Sequence, residues 1–177
     1  MNDLIETLPV VALRGMTILP GMVIHFDVSR ERSVKAIEQA MLKEQRLFLV
    51  TQKDVQVEQP GPEDLYRIGT IASVKQVIKL PHNVIRVLAE GLEKAELSHF
   101  SQDGEFLEAE VIRFESEDAL ENLDPAYGEA MVRNLSETFH LYCRESGKVG
   151  KELERQITET ADLEKLMKEI MINIPLN

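Results

Sequence analysis

The chain has 177 residues, 44% of them hydrophobic and 29% charged, which suits one large domain or two small lobes of a soluble globular protein. A formal net charge of −11, no tryptophan and no cluster of Lys and Arg argue against nucleic acid and against anionic membrane surfaces as partners. No apolar run approaches the roughly 20 residues that span a bilayer, the start Met1-Asn2-Asp3-Leu4 has neither part of a signal peptide, and Cys143 is the one cysteine, so the expected compartment is the cytoplasm.

Residues 8–13 (LPVVAL) form a short apolar run expected as a buried strand. The next segment, 14–21, holds two glycines and a proline and is expected as a loop in spite of its apolar side chains. Residues 22–28 alternate, with Ile24, Phe26 and Val28 on one face and Val23, His25 and Asp27 on the other. Ser29 is read as the N-cap of a helix over 30–44 whose apolar face is Val34, Ile37, Ala40 and Met41. A strand over 46–52 follows, then an exposed connection through Pro60-Gly61-Pro62.

Residues 68–80 alternate over a long stretch, placing Ile68, Ala72, Val74, Ile78 and Leu80 on one side of a bent or bulged strand. Pro81-His82-Asn83 marks a turn, and 84–90 and 94–100 continue a meander around Gly91. Asp103-Gly104 signals a type I′ hairpin whose second strand is 106–114. Six strands, one helix and regular turn signals predict a compact, barrel-like or multi-sheet α+β lobe over 1–115.

From 115 to 124 acidic residues dominate, hairpin signals cease and helical periodicity begins, so a helical lobe is expected over 116–177. Asp124-Pro125 is an N-cap with proline in the first helical position, and Tyr127, Met131, Leu135, Phe139 and Tyr142 mark one helix face. Val149, Leu153 and Ile157 mark a second helix. Leu163, Leu166, Met167 and Ile170 mark a third, capped by Thr160 or Asp162. The end at Ile174-Pro175-Leu176-Asn177, just after an apolar stretch, is read as that of an excised fragment.

The residues offer little chemistry. Gly147-Lys148-Val149-Gly150-Lys151 lacks both the glycine spacing and the hydroxyl of a phosphate-binding loop and reads as a helix connection. His25, His82, His99 and His140 are widely separated and lack metal-ligand spacing, with a meeting of His25 and His99 across a sheet kept open. Cys143 has no activating histidine nearby in sequence and reads as a structural thiol. No catalytic, cofactor-binding or metal residue is assigned. The unusual feature is the apolar loop: Met16, Ile18, Leu19 and Met22 lie among glycine and proline, either packed on the core or exposed as an adaptable patch for polypeptide.

Leu8-Pro9-Val10-Val11-Ala12-Leu13-Arg14-Gly15 followed by Leu19-Pro20-Gly21-Met22 resembles the opening of Lon protease N-terminal domains. The resemblance continues through Glu38-Gln39-Ala40, Leu49 to Asp54, Asp64 to Thr70, Leu80-Pro81 and Arg86 to Gly91, in the family's order. A departure is His82-Asn83, where many members carry Asp-Gly or Asn-Gly; asparagine tolerates positive φ, so the turn is expected to survive.

The resemblance implies a β-rich, PUA-like pseudobarrel lobe followed by the first part of a helical bundle. It implies a parent with an ATPase domain, using ATP and Mg, and a Ser-Lys protease domain, neither of which has a counterpart here. Substrate recognition, with unfolded or damaged proteins as partners, and support of a hexamer with other Lon subunits are the implied roles. A homodimer of the fragment is a further expectation, with Met16, Ile18, Leu19 and Met22 as candidate polypeptide-binding residues. The alternative is a stand-alone Lon-domain binding or adaptor module.

Overall fold

The structure, a computed structural model, describes residues 4–114 and 123–174. The chain divides into two compact units, Met1–Glu115 and Ser116–Asn177. Of the acidic stretch at 115–124, all but Leu123 and Asp124 lies outside the described residues.

The first unit has six strands, β1 (Ile5–Leu13), β2 (Val23–Val28), β3 (Arg46–Thr51), β4 (Ile68–Lys79), β5 (Ile85–Asp103) and β6 (Leu107–Arg113), with helix α1 (Glu31–Leu42) between β2 and β3. The order across the sheet is β2-β5-β4-β3-β1-β6, and β6 pairs with β5 as well. Strands β5, β4, β3, β1 and β6 therefore close a ring, with β2 attached outside it.

The length of β5 makes this possible. Residues 85–90 pair with β2 and residues 95–103 with β6, while β4 occupies the other side. Two strands around Gly91 were expected, but one strand of 19 residues runs through. A bulge at Leu92, between the pairs Ile71↔Glu93 and Ala72↔Gly91, lies where β5 passes from one partner to the next.

A second bulge at Lys75, between Val74↔Ala89 and Gln76↔Leu88, flips the phase of β4. Before it Ala72 and Val74 face the core; after it Val77 does, leaving Ile78 42% exposed. The expected one-sided row of Ile68, Ala72, Val74, Ile78 and Leu80 is corrected accordingly, because one extra residue moves every later side chain to the other face. Ile68 also ends up exposed.

Two apolar clusters lie on opposite faces of the same strands. Leu8, Val10, Phe48, Val50, Ile71, Leu97, Leu107 and Val111, from all five ring strands, fill the interior. Val11, Leu13, Leu47, Leu49, Ala72 and Val74 form the other cluster with α1 and β2. The parallel pair β1–β3 is thus buried on both sides, which explains runs such as LPVVAL with no alternation.

Helix α1 presents Ser33, Ala36, Ile37 and Ala40, one step around from the expected face, with Met41 exposed. Small side chains there let the helix lie close to the sheet. Its N-cap is Arg30 rather than Ser29, with no side-chain cap bond. The connection after β3 is less exposed than expected. Pro60 and Leu65 are buried, a 3₁₀ turn spans Pro62–Asp64, and Gln52 bridges to Leu65.

The 80–84 turn holds His82 and Asn83 at φ of 61° and 60°. At the last hairpin Asp103 itself pairs with Leu107, so residues 104–106 form the loop instead of a two-residue turn centred on Asp103-Gly104.

The second unit has α2 (Pro125–Ser146), α3 (Lys151–Thr158) and α4 (Leu163–Asn173). Local chemistry sets its boundaries. The Asp124 carboxylate accepts from the Ala126 and Tyr127 N–H groups, Gly147 ends α2 at φ 63°, and Asp162 accepts from Lys165 N–H at 2.7 Å. Val149 precedes α3 instead of opening it. Phe139, Cys143, Ile157, Leu166 and Ile170 are the buried core. Of the expected α2 face, Tyr127 and Met131 remain exposed.

Candidate polypeptide-binding site

The segment 14–22 joins β1 to β2 as a tightly bonded clip. Leu19-Pro20-Gly21-Met22 closes on itself, the Met22 N–H donating to the Leu19 carbonyl at 3.1 Å with Gly21 at φ 87°. Proline in the second place and a positive-φ glycine in the third are the signature of a type II turn. The Gly21 N–H donates to the Gly91 carbonyl at 2.9 Å, and the Gly91 N–H returns a bond to Met22 at 2.8 Å. A side chain at Gly91 would fall on the Leu19 carbonyl oxygen, so glycine is required for this approach. The Thr70 hydroxyl donates to the Ile18 carbonyl at 2.6 Å and the Thr51 hydroxyl to that of Met16 at 2.8 Å.

This backbone sorts the four expected site residues. Ile18 is only 3% exposed and belongs to the core, so it offers no surface to a ligand. Met16 and Met22 are half-buried and pack against the same cluster. Leu19 is half-buried at the turn, its N–H directed at the Met22 sulfur at 3.3 Å. The loop is therefore both core and surface: alternate anchoring of its carbonyls turns one apolar side chain inward and leaves three at the boundary.

Next to Met16 a cleft of about 740 Å³ opens between the end of β1, strand β2, the first turn of α1 and Pro60. Arg14 and Arg30 line it. Arg30 Nη2 donates to Gln52 Oε1 at 2.6 Å, and its guanidinium reaches the Ala12 and Val57 carbonyls at 3.4 Å. Gln52 is buried and donates onward to the Asp54 and Val57 carbonyls. Burial, followed by the charge of Arg14, holds the Arg30 pKa below its ordinary value, while a guanidinium remains charged at neutral pH. Three other charges of the cleft are matched, Asp27 with Arg86 through two 2.7 Å bonds, Glu31 with Lys35, and Arg32 with Asp103, whereas Glu58 on the same lining pairs with no cation among the described residues.

Neither this cleft nor its arginines were legible as a site. Arg30 reads locally as the start of a helix, and nothing near it in sequence announces that its side chain turns to Gln52.

The remaining candidates are dispersed. His25 lies opposite Leu88, whereas His99 lies opposite Glu110 and 3.4 Å from its carboxylate. Burial raises the pKa of Cys143, with the nearby Glu154 charge adding to it. Among the described residues no three His, Cys, Asp or Glu side chains gather as a metal-binding group, and no helix is long and apolar enough to cross a membrane. Gly147 and Gly150 simply flank the α2–α3 connection.

The family model for the ATP-dependent protease La (LON) substrate-binding domain matches residues 7–177. A Lon protease of Lachnoclostridium phytofermentans is 47% identical over 99% of this chain, and Lon protease 1 of Bacillus subtilis is 32% identical over 99%. In both, the match covers 22% of the relative, so the chain spans about a fifth of the length of these proteins. The fold is similar to the N-terminal domain of the Mycobacterium avium complex Lon protease. That match has a TM-score of 0.59 and 18% identity, and covers 94% of this chain and 97% of that one. A Lon N-terminal domain protein from Xanthomonas campestris matches at TM-score 0.54 and 14% identity, covering 96% and 99%.

Proposed function

We infer function from family and geometry together: the chain belongs to the substrate-binding domain family of the ATP-dependent protease La (Lon), and we propose that it captures unfolded or damaged polypeptides for a longer protease. Family membership over residues 7–177 carries this reading. The geometry supports it through Met16, Leu19 and Met22, half-buried apolar side chains on a backbone held by hydrogen bonds at both ends. Unfolded chains expose apolar segments that folded ones bury, and thioether side chains adapt to irregular apolar shapes. Several such weak sites on one assembly raise the effective concentration of substrate near the enzyme.

The domain itself binds without catalysis, and ATP hydrolysis with peptide cleavage belongs to the remainder of the longer protein. Contact with other subunits is a second role, favoured by Tyr127 and Met131, which stay exposed on α2 at 58% and 36%.

Fluorescence anisotropy of a labelled, permanently unfolded protein, titrated with this chain beside the folded form, tests the capture role. Selective binding of the unfolded form is expected, weakened severalfold by Leu19→Ser, which removes apolar surface outside the main clusters. Equal binding of both forms, or of neither, would overturn it.

A further inference from the structure

Two strand edges without neighbours meet in the cleft beside the clip. Strand β2 ends the sheet order, pairing with β5 alone, so the backbone groups on its other edge have no ladder partner among the described residues. Strand β1 pairs with β6 from Ile5 to Val10 and with β3 from Val10 to Leu13. Past Val10, its β6-facing side is likewise unpaired among the described residues. The cleft is lined by both of these segments. Natural sheets blunt such edges with prolines, bulges, charged side chains or coverage; here the segments HFDV and VAL carry no proline, and their one charge, Asp27, is engaged by Arg86. The Ala12 carbonyl receives a 3.4 Å bond from Arg30.

The charges point the same way. In a chain of net charge −11, Arg14 and Arg30 stand in the cleft with no carboxylate in ion-pair range among the described residues, while Asp27, Glu31 and Arg32 around them are paired and Glu58 on the same lining lies beyond ion-pair range of both arginines. Arg30 is also fixed in place by Gln52 and therefore loses little freedom on meeting a ligand.

We propose, resting on the capture role, that this cleft takes an extended acidic segment of a non-native polypeptide, its main chain pairing as an added strand along β2 and an Asp or Glu side chain seated on Arg14 and Arg30. Strand addition draws its affinity from main-chain hydrogen bonds and so accepts many sequences, as a receptor of damaged proteins must. The carboxylate supplies register and preference, since charge-assisted bonds to a guanidinium are the strongest available to it. Strand β2 has six residues, which an extended peptide matches over roughly 20 Å. The apolar clip, whose Met16 also borders the cleft, would meet the flanking residues.

The test is anisotropy with this chain and labelled ten-residue Thr/Val peptides: one with two central Asp, one with Asn in their place, and the Asp peptide N-methylated throughout. The Asp peptide is expected to bind, the Asn peptide roughly tenfold more weakly, and the N-methylated peptide not detectably. The exposed Arg14→Gln change should weaken the Asp peptide by a similar factor and leave the Asn peptide unaffected. Equal binding of Asp and Asn peptides, or retained binding after N-methylation, overturns the proposal. If the permanently unfolded protein binds and no peptide does, this site is wrong and capture stands. If neither binds, both fail.

Discussion

In the β unit fifteen and eleven buried residues make two clusters on opposite faces of shared strands, whereas five buried residues hold the described helices of the second unit together. The first arrangement depends on partners far apart in the chain: Leu8 and Val10 meet Leu107 and Val111 across the ring. The second depends on neighbours, with each helix delimited by its own capping residues and a thin apolar seam between. A closed ring tolerates few local exceptions, while a small helical unit rests on single interactions.

The largest effect that would break this contrast is cavity formation. Phe48→Ala empties the ring interior and should cost about 3–5 kcal/mol, and Phe139→Ala a similar amount in the helical unit. Because the helical core is so small, Phe139→Ala should melt that unit while leaving hydrogen-exchange protection in β3 and β4 intact. Loss of protection in both units together would show that they fold as one.

Gly91→Ala comes next, at roughly 1–3 kcal/mol, since its methyl group collides with the Leu19 carbonyl. Chemical denaturation should show the loss, and amide exchange at Gly21 and Met22 should rise first because the clip is bonded to Gly91. Asp124→Ala removes the cap of α2 and should cost about 1 kcal/mol, confined to the helical unit. Cys143 provides the readout: its buried thiol has a raised pKa, so labelling by a disulfide reagent at neutral pH should be slow and should accelerate with Asp124→Ala.

The smallest effect is electrostatic. Hydrogen bonding to Arg86 holds the Asp27 carboxyl below its ordinary value of 3.8. A depressed folded pKa contributes stability that is present above the unfolded value and fades as the pH falls through the folded one. An NMR titration should therefore find Asp27 ionised below pH 3.8, and Arg86→Gln should bring it back toward the ordinary value with little change in neutral-pH stability, because the pair is exposed.

Much of this was readable along the chain. Alternation in 22–28 correctly separated Ile24, Phe26 and Val28 from Val23, His25 and Asp27, Asp124-Pro125 announced one helix start, and Thr160 or Asp162 another, of which Asp162 is the cap, because strand faces and caps are set within a few residues. The chain of motifs from Leu8 to Gly91 identified the family, and the glycines and proline of 14–21 announced a loop, in which the structure closes Leu19-Pro20-Gly21-Met22 as a type II turn. The errors came where distant partners decide. The phase of β4 after Lys75 depends on a bulge against β5, and the single strand through Gly91 depends on having β2 and β6 as successive neighbours.

The site divides in the same way. Sequence alone determined that an apolar, glycine- and proline-bearing loop lies between two strands, since composition and turn chemistry are local. Only the tertiary structure decided that Ile18 is core while Leu19 stands at the boundary, and that Arg14, Arg30 and two strand edges unpaired among the described residues share one cleft. Those placements follow from ring closure and from the Gly91, Thr51 and Thr70 bonds to the clip, interactions between residues 34 or more positions apart that no local pattern encodes.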